Sequence, residues 1–595
     1  MSHIVDRRDL EFILFECFDL AMLLQRPHFA HLDRDAAIGI LDTAQAVAEA
    51  FYLPCAAKVD AEEPRFTNGS VEVPAEVGKA LAAFADAGFF SAAFAKDHGG
   101  SQLPCLLAMA CNGMFMAANI SVANYSFLTI GAAQLIAACA NAEQKSIYLP
   151  PMLEGRWLGT MCLSEPQAGS SLSDIRTRAT PVGGERYHIS GSKMWISGGA
   201  HEISENIVQM VLARIPGSPP GVKGVSLFIV PKFLPQEDGT PGPFNNIALA
   251  GLNHKMGQRG TTNCLLNFGE EGSCVGFLVG KPNEGLSAMF HMMNEARVYV
   301  GHSAAMLGLA GYLYSLDYAR NRFQGRHPGD KDPTQQQVPI IEHADVRRML
   351  MEQKVAVEGA ISLSALCASL VDQKSSAESA AARADAALLL ELLTPIVKSW
   401  PAEHCLDANK EAMQILGGYG YTRDYPVERL YRDNRRDPIH EGTYGIHGID
   451  LLGRKVRFEN GRALTLLERE IEATLSYAEA FPAESNALRA ALQQLRLTTN
   501  RCLAETDLLK ALANATPYLD AMGTIVVSWL WLKQAVVAAR LLGTSEMDDA
   551  FYTGKIKAAR HIMLGRLVDA TATLARVATL DAAFFSMSSE EFARP

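Results

Sequence analysis

No lysine- or arginine-rich tract occurs in these 595 residues, and 54 basic side chains face 65 acidic ones. A nucleic-acid surface needs clustered cations against phosphate, so a net charge of −11 disfavours one. No CxxC pair and no metal-type His spacing appears among the 11 cysteines. They read as reduced, small core residues of a cytosolic-type compartment, and no metal is expected. A membrane helix needs roughly 20 apolar residues. The most apolar late stretch, 524–532, stops at Lys533, so no transmembrane segment is expected. The start, MSHIVDRRDLEF, lacks the apolar centre of a secretory signal, and the end, FARP, is not a peroxisomal tripeptide. A cytoplasmic location is the expectation. The composition, 48% apolar and 20% charged, suits a globular chain too long for one core, with three or four domains as the prior.

Apolar residues recur at helical spacing through 6–144, in LEFILFECFDLAMLL and AAIGILDTAQAVAEAFYL. Pro74 opens a further helix, where its missing N–H costs nothing. The loop DHGGSQLP at 97–104 precedes an apolar helical hairpin ending near Cys139. From Trp157 to Gly285 the runs shorten, β-branched and aromatic residues rise, and Gly and Pro punctuate them. The expected strands are RYHISGSKMWISG as a hairpin, then IVQMVLAR, VSLFIVPK, TTNCLLNF and VGFLVG. Helices return from Ala288, the long ones near 312–321, 342–372 and 381–398. The expected domains are an N-terminal helical one at 1–156, a β domain at 157–287, a helical bundle at 288–464 and an additional helical module at 465–595. That module carries 13 basic and 15 acidic residues, so it is neither a basic arm nor an acidic tail.

The chain turns on 432–448, RDNRRDPIHEGTYGIHG, where Glu441 stands beside Gly442 and Thr443 on a short turn after a helical region. Upstream, 414–425 reads QILGGYGYTRDY, whose paired glycines allow close backbone approach to a ligand. By itself a Glu before Gly-Thr is ordinarily a helix cap.

The whole run, QILGGYGYTRDYPVERLYRDNRRDPIHEGT, resembles the C-terminal signature of the acyl-CoA dehydrogenases, and the resemblance spans roughly 88–455. It implies a mainly helical fold with a central β domain: an N-terminal helical bundle, a middle β barrel or sandwich and a C-terminal four-helix bundle. The extra C-terminal helical module is similar to that of the larger members, among them the 3-methylmercaptopropionyl-CoA dehydrogenases. Glu441, nine residues after Arg432, matches the family's general base. In a minority of members the base stands at the position of Ala296, which cannot take a proton, and Glu295 is expected to point about 100° away on its helix.

The resemblance also implies FAD. MCLSEPQAGSSLSDI at 161–175 is similar to the loop that holds flavin through Leu163 and Ser164, with Ser170 facing the acyl-CoA. Ser171 stands where the family has an acidic residue. KMWISGG at 193–199 matches the segment whose Trp covers a flavin face, giving Trp195 and Ser197. ARNRFQGR at 319–326 is similar, with its Phe displaced, to a segment reaching FAD phosphates across a dimer interface, giving Arg322. Gln414, Gly417 and Gly418 match the segment that meets the same dinucleotide from the partner subunit, and Thr443 is a further cofactor contact. Arg297 and Gly442 are implied on the substrate side. The implied reaction is oxidation of an acyl-CoA, medium to long chain, to a trans-2-enoyl-CoA, with electrons passing to an electron-transferring flavoprotein. The implied assembly is a homodimer or a dimer of dimers. An acyl-CoA oxidase shares the same motifs; a flavin-bearing DNA-associated relative would need a basic C-terminal surface, which the charge count does not supply.

Overall fold

The computed structural model describes residues 2–329, Asp332 and residues 334–593, and side chains at 290–294 are not among those described. It divides into two compact units, Phe29–Ala296, and Met1–His28 with Arg297–Pro595.

The first unit joins helices to a β-sheet. Its main helices are α1 (Arg34–Val47), α2 (Ala75–Asp86), α3 (Cys105–Cys139) and α4 (Ala142–Leu153). Each start has a local cause: Asp33 accepts from the Ala36 N–H at 2.8 Å, Pro74 precedes α2, and Asn141 forms a capping box with Gln144. The expected hairpin ending near Cys139 is one 35-residue helix, kinked at Asn119, where φ is −162° and ψ is 89°. Apolar on all sides, α3 has to be buried.

The sheet has eight strands: β1 (Trp157–Cys162), β2 (Arg178–Gly183), β3 (Arg186–Ser197), β4 (Asn206–Arg214), β5 (Val225–Pro231), β6 (Ile247–Leu252), β7 (Asn263–Phe268) and β8 (Val275–Val279). Their order is β6-β7-β3-β8-β5-β4-β1, with β2 paired to β3 and β4. Alternation splits β4: Val208, Met210 and Leu212 pack toward α3 and α4, while Val211 and Ala213 join Phe228 and Ile189 on the other face. Gly159 of β1 permits this approach, since a Cβ there would lie 2.8 Å from Ala132 and Met152.

The segment expected as a hairpin, RYHISGSKMWISG, is instead the single strand β3. Gly191 serves a close approach and no turn: φ is 145°, and a Cβ would sit 2.8 Å from Thr177. The strand therefore runs on, pairing with β2 and β8 in its first half and with β7 in its second.

The second unit is helical: α5 (Gly285–Asn321, which begins in the first unit), α6 (Ala344–Ser376), α7 (Ala380–Leu416), α8 (Val427–Asn434), α9 (Tyr444–Gly453), α10 (Arg462–Leu475), α11 (Pro482–Ala504), α12 (Ala515–Leu541), α13 (Asp549–Leu564) and α14 (Arg566–Val577). α7 continues beyond the expected end at 398 to Leu416, with Pro395 and Pro401 inside it. An interior proline costs about 3 kcal/mol or more, and dense burial around Leu392, Ile396 and Trp400 offsets it. α12 passes through Lys533, whose ammonium lies 4.4 Å from the Phe18 ring, and packs on α6, α7, α9, α13 and α14. By length and composition α3, α6 and α12 could each cross a membrane, yet 89% of the most apolar window of each is buried inside the protein. The helical turns of residues 7–24 pack in this second unit: Arg8 pairs with Asp548 at 3.1 Å, and Asp9 with Lys555.

Candidate active site

Between α8 and α9 the chain reverses over 435–443, and Glu441 stands at the tip in the left-handed region, φ 55°, followed by Gly442 at φ 96°. A non-glycine residue held there marks a backbone determined by its surroundings. Three hydrogen bonds determine it. The ammonium of Lys398, fully buried on α7, donates to the carbonyls of Asp437 (2.8 Å) and Gly442 (2.6 Å), and His447 Nε2 donates to the carbonyl of Glu441 (3.0 Å). Gly442 admits the imidazole, because a Cβ would stand 2.7 Å from His447 Nε2.

The Glu441 side chain is 14% exposed, with His440 Nε2 at 3.6 Å from its Oε1. Burial raises its pKa above the usual 4.5, against the cations Arg297, Lys398 and Arg436, which pull it down. The neighbours respond in kind. Lys398 is lowered to about 8 by burial, Asp437 is raised to about 6 by burial, and His447 is lowered to about 3 by burial and the nearby cations. His440 lies well below 6.5, chiefly from burial, so a neutral imidazole faces the carboxyl. The site is a carboxyl that burial makes a stronger base than an ordinary glutamate, beside an imidazole that stays neutral. Of this shell the sequence motif names only Glu441, Gly442 and Arg297. Lys398 sits in an apolar helix and binds backbone carbonyls, which carry no residue signature; its only signal is a lysine on a buried face.

Arg297 is buried, 7% exposed, and its charge acts on Glu441. Ala296 precedes it, also buried, and Glu295 accepts from Gln134 at 3.3 Å in the first unit. Thr443 is the N-cap residue of α9, without a side-chain capping bond; its carbonyl accepts from the His447 N–H at 3.2 Å. Arg322, Gly417 and Gly418 come together on one cavity of about 650 Å³, with Gln324, Tyr318 and Tyr419. Gln414 is exposed on the last turn of α7, outside that lining.

In the first unit, Leu163 and Ser164 lie where the loop after β1 meets β3: the Met194 N–H donates to Ser164 O at 3.0 Å, and Lys193 Nζ to Leu163 O at 3.0 Å. A buried pair missed by the motif reading anchors this junction. Glu165 accepts from Lys193 at 2.9 Å and also from the Arg176 N–H, the Thr177 N–H and the Thr177 hydroxyl; its signal is the Glu of SEP and the Lys before Met-Trp. Burial would raise the Glu165 carboxyl, but Lys193 and these donors hold it at about 2. Next to this anchor Trp195 adopts φ 66° and leaves 59% of its surface exposed. Strained backbone thus holds a large aromatic side chain out of the core. Ser197 Oγ accepts from Asn263 at 3.3 Å, and Ser170 is exposed on the loop.

Four family descriptions match the chain: acyl-CoA dehydrogenase N-terminal domain over 35–156, middle domain over 160–270, C-terminal domain over 283–457, and acetyl-CoA dehydrogenase C-terminal like over 467–588. The chain belongs to the acyl-CoA dehydrogenase family. It is an FAD-dependent dehydrogenase with the fold that the motifs implied. Among curated relatives of this dehydrogenase, the 3-methylmercaptopropionyl-CoA dehydrogenase of Ruegeria pomeroyi is 35% identical over 90% of this chain and 92% of its own. The broad-specificity linear acyl-CoA dehydrogenase FadE5 of Mycobacterium tuberculosis is 32% identical, covering 98% of each. Of solved structures, an acyl-CoA dehydrogenase of Bacillus anthracis complexed with FAD gives a TM-score of 0.73 at 20% identity over 94% of this chain and 90% of that one.

Proposed function

We propose that this dehydrogenase oxidises linear acyl-CoA thioesters to trans-2-enoyl-CoA with Glu441 as the base, and passes the electrons to an electron-transferring flavoprotein. The observation that carries the proposal is the clamped, mostly buried carboxyl of Glu441 with its raised pKa. An α C–H of a thioester is far too weak an acid for a carboxylate of pKa about 4.3 in water. Burial strengthens the base, and N–H donors aimed at the thioester oxygen stabilise charge as it develops there. Glu441 takes the α-proton; Arg297 and Lys398 keep enough of the carboxyl ionised to do so; His440 stays neutral and leaves the proton on Glu441.

Two features fit FAD: the exposed face of Trp195 beside the loop carbonyls of Leu163 and Ser164, suited to a ring system, and the cavity with Arg322 over the Gly417-Gly418 backbone, suited to a diphosphate. FAD when bound supplies the acceptor for the β-hydrogen and its two electrons. Arg322, Gly417 and Gly418 receive the dinucleotide of a second subunit, so the working form is a homodimer or a dimer of dimers. The linear chain is supported by relatives whose names specify linear or butyryl substrates over nearly the whole chain; a medium-to-long preference stays with the sequence expectation. Turnover of acyl-CoAs from about C3 to C18 tests the reading, with a dye acceptor and oxygen uptake in parallel. Dye-coupled turnover without oxygen consumption is expected; oxygen-coupled turnover marks an oxidase, and no reduction by any acyl-CoA overturns the proposal.

A further inference from the structure

The C-terminal module holds the start of the helix that follows the Glu441 turn through the Tyr444 side chain. Tyr444, the first residue of α9 and three positions after Glu441, donates its hydroxyl hydrogen to Asp520 Oδ1 on α12 at 2.8 Å. The same oxygen accepts from His404 Nε2 of α7 at 2.9 Å. Arg566 of α14 lies 2.6 Å from His404 Nδ1. A guanidinium only donates, so Nδ1 is the acceptor and the ring hydrogen sits on Nε2, directed at Asp520. The imidazole cannot rotate away: it stacks on Trp400 with centroids 4.2 Å apart and planes at 23°, and Trp400 Nε1 donates to Thr524 Oγ1 of α12 at 3.0 Å. Arg566 in turn is held by Glu352 of α6 at 3.0 Å, which also binds His561 of α13 at 2.7 Å. Along the same face Gly448 of α9 lies against the Ala515 backbone, where a Cβ would meet the carbonyl at 2.8 Å. Burial would raise the Asp520 carboxyl, yet the bonds from His404 and Tyr444 hold it below its ordinary value.

We propose that Asp520 is a positioning residue for catalysis: through Tyr444 it fixes the start of α9 and with it the Glu441 turn, so that the C-terminal module is part of the machinery that aims the base. This rests on Glu441 being the base. The network brings five helices, α6, α7, α12, α13 and α14, to bear on one phenol hydroxyl, and that hydroxyl belongs to the first side chain of the helix that the base turn enters.

The test uses the holoenzyme as Tyr444→Phe, Asp520→Ala and the double variant, measuring kcat, KM, FAD content, Tm and the pH profile of kcat. Misplacement of a reacting group by about 1 Å costs up to roughly a hundredfold in rate. Each single variant is expected to lose about ten- to a hundredfold in kcat on that scale, with KM and FAD content near the parent's. The double variant should lose little more than Asp520→Ala alone, because each single already removes the Tyr444–Asp520 bond. A loosened turn admits water and relieves the burial that raises Glu441, so the acidic limb of the profile moves to lower pH. Parental kcat and limb in both singles, or losses that simply add, overturn the proposal. If Asp520→Ala does not fold, Tyr444→Phe, which keeps the ring, decides alone. Failure of the base reading is separate: Tyr444→Phe would then lower kcat without moving the limb attributed to Glu441.

Discussion

At Glu441 burial and three cations pull in opposite directions, and burial wins. Proton abstraction needs the ionised carboxylate, so activity falls as pH drops through its pKa, and the acidic limb of kcat is expected above pH 4.5. Lys398→Met removes a cation that favours ionisation, so it should move that limb up, the opposite direction to Tyr444→Phe. It also strips two buried carbonyls of their donor, at about 1–3 kcal/mol for an unsatisfied buried group. A urea midpoint and a pH profile together check it; an unmoved limb would mean that the lysine is only a structural pin. Glu441 was legible because an acidic residue beside Gly-Thr recurs in a dense motif. Lys398 and His447 were not, since both act on backbone atoms.

At the scale of elements, the β1–β3 junction holds Trp195 out of the core, and Trp195→Ala should keep the fold while weakening FAD retention, read from the flavin absorbance remaining after gel filtration. Lys193→Met breaks the buried pair with Glu165, a class of change that costs about 3–5 kcal/mol; loss of Tm with FAD content is expected, and a parental Tm would show that the other donors to Glu165, from Gln167, Arg176 and Thr177, suffice. Strand and helix positions followed from periodicity, but continuity did not. The segment RYHISGSKMWISG reads as a hairpin until Thr177 is seen against Gly191, and the helix expected over 381–398 runs on through Pro401 because of the burial around it. Long-range packing decides both cases, and local sequence does not encode it.

For the whole molecule, buried histidines set the acid limit. In the folded chain His201 and His447 sit at about 3, against 6.5 for an ordinary imidazole. Between those values the unfolded chain binds protons that the folded chain refuses, so stability is intact above pH 6.5 and falls as pH drops toward 3. Asp437, raised to about 6, works the other way only above its ordinary 3.8. Tm measured from pH 7 to 4 should decline; a flat profile would place protonatable histidines at the surface. The helical, β, helical sequence of elements was legible in composition. The attachment of residues 7–24 to the second unit was not, because periodicity gives a helix its apolar face without naming what covers it; there Lys555 meets Asp9 and Glu358 in full burial.

The central claim is that Glu441 removes the α-proton. Anaerobic mixing of Glu441→Gln holoenzyme with an acyl-CoA, followed by flavin absorbance, tests it directly. A positioned base is worth about 10²–10⁴-fold, and the top of that range is expected here, with FAD content and acyl-CoA binding preserved because Gln keeps the side-chain volume and leaves the proposed flavin contacts in place. Bleaching at the parental rate would contradict the account and place the base elsewhere, with Glu295 next to be tested.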